Sequence, residues 1–234
     1  MLRAPKMRAA CTSFVAFAMA CVGVNARAAD LAVAGDGEPA YDSRFMVDFG
    51  QVDPPPAFKR FCVESPEECA TRPPAKNFTH SPRRLEELDE VNRRVNRAIS
   101  PETDIQHYGV EDYWTIPRDG RGDCEDYALL KRHLLIAMGW PTSELLMTVV
   151  RIENGEGHAV LTARTPAGDL ILDNRADEIK NWYQTNYKFK MRQSQEDPRV
   201  WLDLDPADDE LPAPIADLQY LFGINRRPLD SMGR

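Results

Sequence analysis

The sequence has no excess of positive charge, no apolar run long enough to span a membrane, and few histidines. Its 29 Lys and Arg residues are outnumbered by 37 Asp and Glu residues, giving a formal net charge of −8. Anionic polymers and surfaces repel such a chain, so neither nucleic acid nor an anionic membrane surface is expected as a partner. The apolar run at residues 14–24 is too short for a comfortable membrane span. Only four histidines are available to serve a catalytic or metal site.

The first 28 residues have the layout of a secretory signal. Basic residues precede the apolar run, and Ala26-Arg27-Ala28 supplies small residues for a cleavage site. The alternative is a lipoprotein signal acylated at Cys21, but Ala18-Met19-Ala20 fits that pattern poorly. Cleavage after residue 28 would leave 206 residues and a formal charge of −12, because four basic residues and no acids are lost. We therefore expect a periplasmic protein with no membrane span in its mature part, long enough for one core domain.

Cysteine is scarce and unevenly placed. Cys11 and Cys21 would leave with the signal, and Cys62 and Cys69 flank a turn-rich loop that can close into a local disulfide outside the cytoplasm. Cys124 is then left without a partner. A free thiol in an oxidising compartment is a liability unless it is buried or used, so Cys124 is either a small buried residue or a nucleophile.

Cys124 opens a predicted helix. Asp123 is a good N-cap type, residues 127–138 are largely apolar, and Gly139 is suited to the C-terminus. A thiol in the first turn of a helix faces unpaired N–H groups and the positive end of the dipole. Both favour thiolate, so this position predicts a lowered thiol pKa and a reactive cysteine.

A packed α+β domain is predicted for residues 58–202, between a flexible Pro-rich arm at 29–57 and an acidic extension at 203–234. Ser81-Pro82 is typical of a helix start, and apolar residues follow at three- and four-residue steps. After Gly139 the period changes to two, which predicts an antiparallel meander at 145–151, 158–164 and 170–173. Residues 176–187 predict a short helix or turn followed by another strand.

His158 and Asp173 are predicted to meet on this sheet. His158 begins one strand directly after Gly157, and Asp173 ends the next. If Arg164 and Asp169 form the last pair before the turn, His158 lies opposite a residue near 175, and a bulge or tighter register would bring it to Asp173. A carboxylate there can orient the imidazole, whose other nitrogen can then take the proton of a thiol. Taken singly, a surface histidine and a turn-capping acid are the ordinary interpretations.

A cysteine at a helix start, followed by a histidine and an aspartate on neighbouring strands, is the arrangement of papain-like and transglutaminase-like enzymes. Three blocks of the sequence also resemble the bacterial transglutaminase-like cysteine proteinases: Gly122-Asp123-Cys124-Glu125-Asp126-Tyr127-Ala128, Gly157-His158-Ala159-Val160-Leu161 and Ile171-Leu172-Asp173-Asn174. The resemblance implies a papain-like core with Cys124 as nucleophile, His158 as base and then acid, and Asp173 as orienting acid. Members of this family include periplasmic, calcium-dependent proteases that clip a large surface adhesin, release cells from biofilms and are restrained by an inner-membrane cyclic-di-GMP receptor.

Two further assignments are less direct. The resemblance links Asp123 and Glu125 to calcium, and Asp126 adds a third oxygen ligand, although the three acids do not form a recognisable calcium loop. Helix capping by Asp123 and a favourable first-turn charge on Glu125 are the alternative. Trp114 is a candidate second oxyanion donor beside the Cys124 amide, with packing as its alternative. Two other functions remain open: acyl transfer to an amine, or a non-catalytic calcium-binding or adaptor module.

Overall fold

The computed structural model describes residues 42–205. The predicted signal at 1–28, the start of the predicted arm and the C-terminal extension from residue 206 lie outside the described residues. Within residues 42–205, no helix is long and apolar enough to cross a bilayer.

Four α-helices occur in the described chain, and proline or a capping side chain marks where three of them start. They are α1 (Pro56–Glu64), α2 (Pro82–Ala98), α3 (Asp104–His107) and α4 (Cys124–Ala137). Pro56 and Pro82 occupy first-turn positions, where the missing proline N–H costs no hydrogen bond. The Ser81 hydroxyl accepts a hydrogen bond from the Arg84 N–H, as the sequence predicted for this cap. Short 3₁₀ turns lie at Pro66–Cys69, Thr142–Glu144 and Trp182–Gln184.

One sheet of seven antiparallel strands forms the second layer, in the order β1-β9-β8-β4-β5-β6-β7. Its strands are β1 (Gln51–Val52), β4 (Leu145–Arg151), β5 (Gly157–Thr165), β6 (Gly168–Asp173), β7 (Ala176–Asn181), β8 (Lys188–Gln193) and β9 (Trp201–Asp203). Two very short strands, β2 (Ser100–Pro101) and β3 (Arg121–Gly122), pair in parallel apart from this sheet. The predicted α+β class and the meander of β4, β5 and β6 are confirmed.

The core lies between the sheet and the helices α2 and α4. It is built from large apolar side chains, including Leu88, Leu129, Leu135, Trp140 and Trp201. Burial of apolar surface on this scale is the main favourable contribution to folding. At the edge of this core, Cys62 and Cys69 are joined by a disulfide that ties the end of α1 to the following 3₁₀ turn.

Three stretches differ from the sequence-based expectation. Residues 42–57, the described part of the predicted arm, pack on the domain: Met46 is 4% exposed, its N–H donates to Asp169 Oδ2 at 2.8 Å, and β1 pairs with β9. Strand β9 runs to Asp203, one residue past the predicted domain end. Residues 176–181 form the edge strand of the sheet by pairing with β6 on one side. Ile179 is the apolar residue of this strand that packs against the core. An edge strand with charged residues on its open side shows little alternation in sequence.

Helix α4 also departs from its expected apolar character. Lys131 is 0% exposed and Arg132 is 2% exposed. The Arg132 guanidinium donates to the Leu145 and Glu68 carbonyls, whereas Lys131 Nζ has no hydrogen-bond partner among the described residues. The helix that carries the cysteine therefore buries two basic side chains: Arg132 is bonded through Nε and Nη1 but not through Nη2, and Lys131 Nζ has no bond among the described residues.

Candidate active site

Cys124 is the first residue of α4, and this places its thiol against β5. The Ala159 N–H donates to Cys124 Sγ at 3.4 Å, and the thiol lies 3.1 Å from Glu125 Oε2 as a donor. Ala159 directly follows His158 in the chain, so the contact brings the cysteine beside the histidine-bearing end of the strand. Cys124 is the free cysteine of the described chain.

His158 and Asp173 form a buried pair. His158 Nε2 and Asp173 Oδ1 are 2.9 Å apart, and each side chain is 6% exposed. The hairpin between β5 and β6 has the expected register, with Arg164 opposite Asp169, and its paired positions end at Leu161 and Leu172. The two side chains meet diagonally beyond that end, without a bulge between β5 and β6.

Asp173 is held by further donors. The Arg175 N–H donates to Oδ1 at 3.0 Å, and the Tyr187 hydroxyl donates to Oδ2. Burial opposes ionisation of Asp173, but the hydrogen bonds from His158, Arg175 and Tyr187 outweigh it and hold the pKa of this carboxyl below its usual value. Asp173 is thus an ionised acceptor for the histidine ring at neutral pH.

The second ring nitrogen of His158 has no hydrogen-bond partner among residues 42–205. With Nε2 engaged by Asp173, a neutral imidazole protonated at Nε2 would present Nδ1 as a base. A nearby thiol is the kind of group that such a base can deprotonate.

The thiol differs from the sequence-based expectation of a lowered pKa. Burial raises the pKa of Cys124 well above its ordinary value, and the charge of Glu125 adds to this. The Ala159 N–H offsets only part of the shift. Burial and Glu125 therefore favour the neutral thiol, so forming a thiolate would need a base to take its proton.

Five carboxylates surround the start of α4. Two groups of carboxylate oxygens within 4.8 Å share Asp104, one with Asp112 and Glu125 and the other with Asp123 and Asp126. A third group joins Asp123 and Glu125 to the thiol of Cys124. The sequence singled out Asp123, Glu125 and Asp126 but missed Asp104, at the start of α3, and Asp112 in the loop that follows. Asp112-Tyr113-Trp114 is a further, supporting stretch that resembles the family, and it was the available signal for Asp112.

Each of three acids in this group uses one oxygen to hold the loop and leaves the other free. Asp104 accepts from the Tyr113 N–H, Asp123 from the Asp104 N–H at 3.3 Å, and Asp126 from the Thr115 N–H at 3.0 Å. Their other oxygens, Asp104 Oδ1, Asp123 Oδ1 and Asp126 Oδ2, are buried without a partner among the described residues. Asp123 occupies the N-cap position of α4 but makes no side-chain capping bond there, contrary to the capping interpretation.

The electrostatics of the group are those of crowded acids. Burial and then the charge of Asp123 raise the pKa of Glu125 to about 9, and burial raises the pKa of Asp126 to about 8. Burial also raises the pKa of Asp104 and Asp112. An all-oxygen donor set with unpartnered buried oxygens suits a hard divalent cation such as Ca²⁺, so these residues fit that ion.

Gly122 makes room for this arrangement. A Cβ at this position would collide with the carboxylate of Asp126. Glycine is therefore needed two residues before Cys124, because the Asp126 side chain lies where a Cβ of residue 122 would be.

Trp114 lies in the core, 5% exposed, with its ring packed against Phe58 and Trp201. Its indole N–H donates to Asp112 Oδ1 at 2.9 Å. The N–H that would serve as an oxyanion donor is thus engaged in this structure.

An α+β core in which a helix-borne cysteine lies beside a histidine–aspartate pair on the sheet defines a papain-like or transglutaminase-like cysteine peptidase. The chain belongs to the bacterial transglutaminase-like cysteine proteinase family (BTLCP), whose model matches residues 49–209. It is a cysteine peptidase, and its substrate is a protein.

Solved structures similar to the chain include LapG from Legionella pneumophila. The calcium-bound form is 30% identical, with 54% of this chain and 73% of that chain covered and a TM-score of 0.44. The EGTA-treated form is 31% identical, with 51% and 67% covered and a TM-score of 0.43. No curated protein sequence matches the chain at a significant level.

Proposed function

We propose that this chain is an exported thiol peptidase that uses Cys124, His158 and Asp173 as a catalytic triad. One observation carries the proposal: His158, which pairs with Asp173 at 2.9 Å, lies on the strand whose Ala159 N–H reaches Cys124 Sγ. The thiol thus contacts the residue that follows His158 in the chain, and His158 in turn pairs with the acid.

The chemistry follows from this placement. His158 Nδ1 takes the proton of the Cys124 thiol as Sγ attacks the peptide carbonyl, which overcomes the raised thiol pKa at the moment of reaction. The Cys124 N–H at the helix start donates to the developing oxyanion. His158 then protonates the leaving amine, and water releases the acyl group by the reverse sequence. Asp173 keeps the ring oriented and stabilises the imidazolium throughout.

The acidic group supports calcium as the cofactor. Asp104, Asp112, Asp123, Glu125 and Asp126 would hold the ion through carboxylate oxygens. When bound, it would neutralise the crowded charge and fix the loop that leads into the nucleophile. The unpartnered oxygens of three of these acids support this assignment.

Substrate, location and partner come from the family. We infer that the protein acts in the periplasm, that its substrate is a large cell-surface adhesin whose release disperses a biofilm, and that an inner-membrane cyclic-di-GMP receptor restrains it. The predicted signal at residues 1–28 and membership of the family support these assignments.

The triad is tested by substituting each member and following cleavage of an N-terminal fragment of a large secreted adhesin from the same organism. We expect Cys124→Ala to abolish cleavage and His158→Ala to lower it by about a hundred-fold or more. His133→Ala is the matched control, since His133 lies on α4 and pairs with Glu68 instead of the site. Any cleavage by Cys124→Ala, or cleavage by His158→Ala close to the parent rate, would contradict the assignment. Mass spectrometry of the products separates hydrolysis from acyl transfer to an amine, and absence of any acyl-enzyme would indicate a non-catalytic module.

A further inference from the structure

Tyr187 is the residue outside the triad that touches it most closely. It lies just before β8, partly buried, and its hydroxyl donates to Asp173 Oδ2. His158 and the Arg175 N–H both use the other oxygen, Oδ1. Tyr187 therefore occupies the carboxylate oxygen that could otherwise bind water, and it restrains rotation of the whole carboxylate group.

The ring of Tyr187 also contacts the histidine. Its centroid is 5.9 Å from that of His158, with the two planes at 70°, an edge-to-face arrangement. The hydroxyl thus holds the acid while the ring borders the base. One side chain fixes both groups whose relative orientation determines which nitrogen of His158 carries the proton.

A polar chain leads from Tyr187 to the surface. Arg175 Nη1 lies 3.4 Å from the Tyr187 hydroxyl and 3.5 Å from Glu153 Oε2. Because Arg175 donates to the hydroxyl oxygen, the hydroxyl hydrogen is directed towards Asp173. Hydrogen bonds arranged in series polarise one another, so the arginine strengthens the bond that Tyr187 gives to the carboxylate.

We propose that Tyr187 is a positioning residue of the triad, fixing Asp173 through its hydroxyl and the plane of His158 through its ring. The proposal rests on the triad assigned above. Tyr187 touches neither the thiol nor a reacting atom, so it acts through Asp173 and His158. An ordinary packing role accounts for the ring, which contacts the cluster formed by Met46, Val150, Val160, Ile171 and Phe189, but it does not account for the hydroxyl.

Tyr187→Phe separates the two roles, because it keeps the ring and removes only the hydroxyl. We expect kcat on the adhesin fragment to fall by about ten-fold, the effect of losing one hydrogen bond to a charged group, with KM unchanged. Tyr183→Phe is the matched control: Tyr183 is 52% exposed and packs edge-on against Trp182, away from the triad. In an Asp173→Ala background, Tyr187→Phe should cause no further loss, because the acceptor of the Tyr187 hydroxyl is absent.

A spectroscopic measurement keeps this test independent of the proposed activity. In the Cys124→Ala protein, ¹⁵N NMR of the imidazole of His158, assigned with a His158→Ala variant, reports how the ring proton is shared between Nε2 and Nδ1. We expect Tyr187→Phe to shift the His158 nitrogen signals and leave those of His80 and His133 in place. Unchanged kcat together with unchanged His158 signals would overturn the proposal, whereas activity surviving Cys124→Ala would overturn the triad itself.

Discussion

Lys131 makes the stability of this protein depend on pH in a direction opposite to that of most ion-paired lysines. Its side chain is fully buried on α4, and Nζ has no hydrogen-bond partner in the described chain. Burial lowers the pKa of Lys131 from 10.5 to about 7, although the charges of Asp173 and Asp177 oppose the shift. The change corresponds to about 5 kcal/mol of unfavourable free energy for the charged form.

The sign follows from proton counting. Between pH 7 and 10.5 the unfolded chain keeps the Lys131 proton and the folded chain has lost it, so this residue makes the free energy of unfolding rise with pH. Below pH 7 both states are protonated and the full destabilisation is present. Replacement by methionine, which has a similar shape and no charge, should remove it. We therefore expect Lys131→Met to be more stable than the parent by a few kcal/mol at pH 6, with the difference shrinking by pH 10.

Urea unfolding followed by circular dichroism at several pH values between 6 and 10 gives these free energies. A Cys124→Ala background removes thiol titration from both proteins, and other groups cancel in the difference. Lys188→Met is the control, since Lys188 is exposed on β8 and its substitution removes a lysine charge without touching the buried position. A pH-independent difference for Lys131→Met would refute the reasoning.

Two further predictions concern the acidic group. Gly122→Ala should displace the Asp126 carboxylate and weaken calcium binding, which isothermal titration calorimetry measures. Gly120→Ala is the control: a Cβ has more room there, so this variant reports only the cost of placing alanine at a positive φ. Equal calcium affinity in Gly122→Ala and the parent would contradict the predicted collision. Calcium at a hundred times its Kd should raise the free energy of unfolding by about 2.7 kcal/mol, and EDTA should reverse the increase. Asp112→Asn should reduce the increase. Asp119→Asn is the control, since Asp119 is an exposed acid that pairs with Arg121. A gain that survives Asp112→Asn undiminished would exclude Asp112 as a ligand.

The fold could be predicted where the physical signal is local. Ser81-Pro82 marks a helix start by its own chemistry, and the turn between Arg164 and Asp169 sets the register of a hairpin. The proximity of His158 and Asp173 follows from that register, since residues near the same end of two adjacent strands can touch.

The remainder depends on tertiary contacts that no local pattern encodes. Asp104 and Asp112 reach the start of α4 through a loop whose path is set by hydrogen bonds to Asp123 and Trp114. The direction of the Cys124 pKa shift depends on how deeply the thiol is buried, and burial outweighs the hydrogen bond from the Ala159 N–H here. The strand at residues 176–181 pairs along one side only, so most of its stabilisation comes from β6 and little from its own sequence.

The short parallel pair of β2 and β3 has a consequence for the loop that leads into the nucleophile. The Ser100 N–H donates to the Gly120 carbonyl at 2.8 Å, and the Glu102 N–H donates to the Gly122 carbonyl at 3.0 Å. These bonds clamp both ends of the loop that carries Asp104 and Asp112, and the clamp ends one residue before the N-cap of α4. The two ends of this loop are therefore joined by backbone bonds that do not involve any carboxylate. A cation held by Asp104 and Asp112 would act on the nucleophile through a segment whose ends the backbone already fixes, which lowers the entropy that its ordering costs.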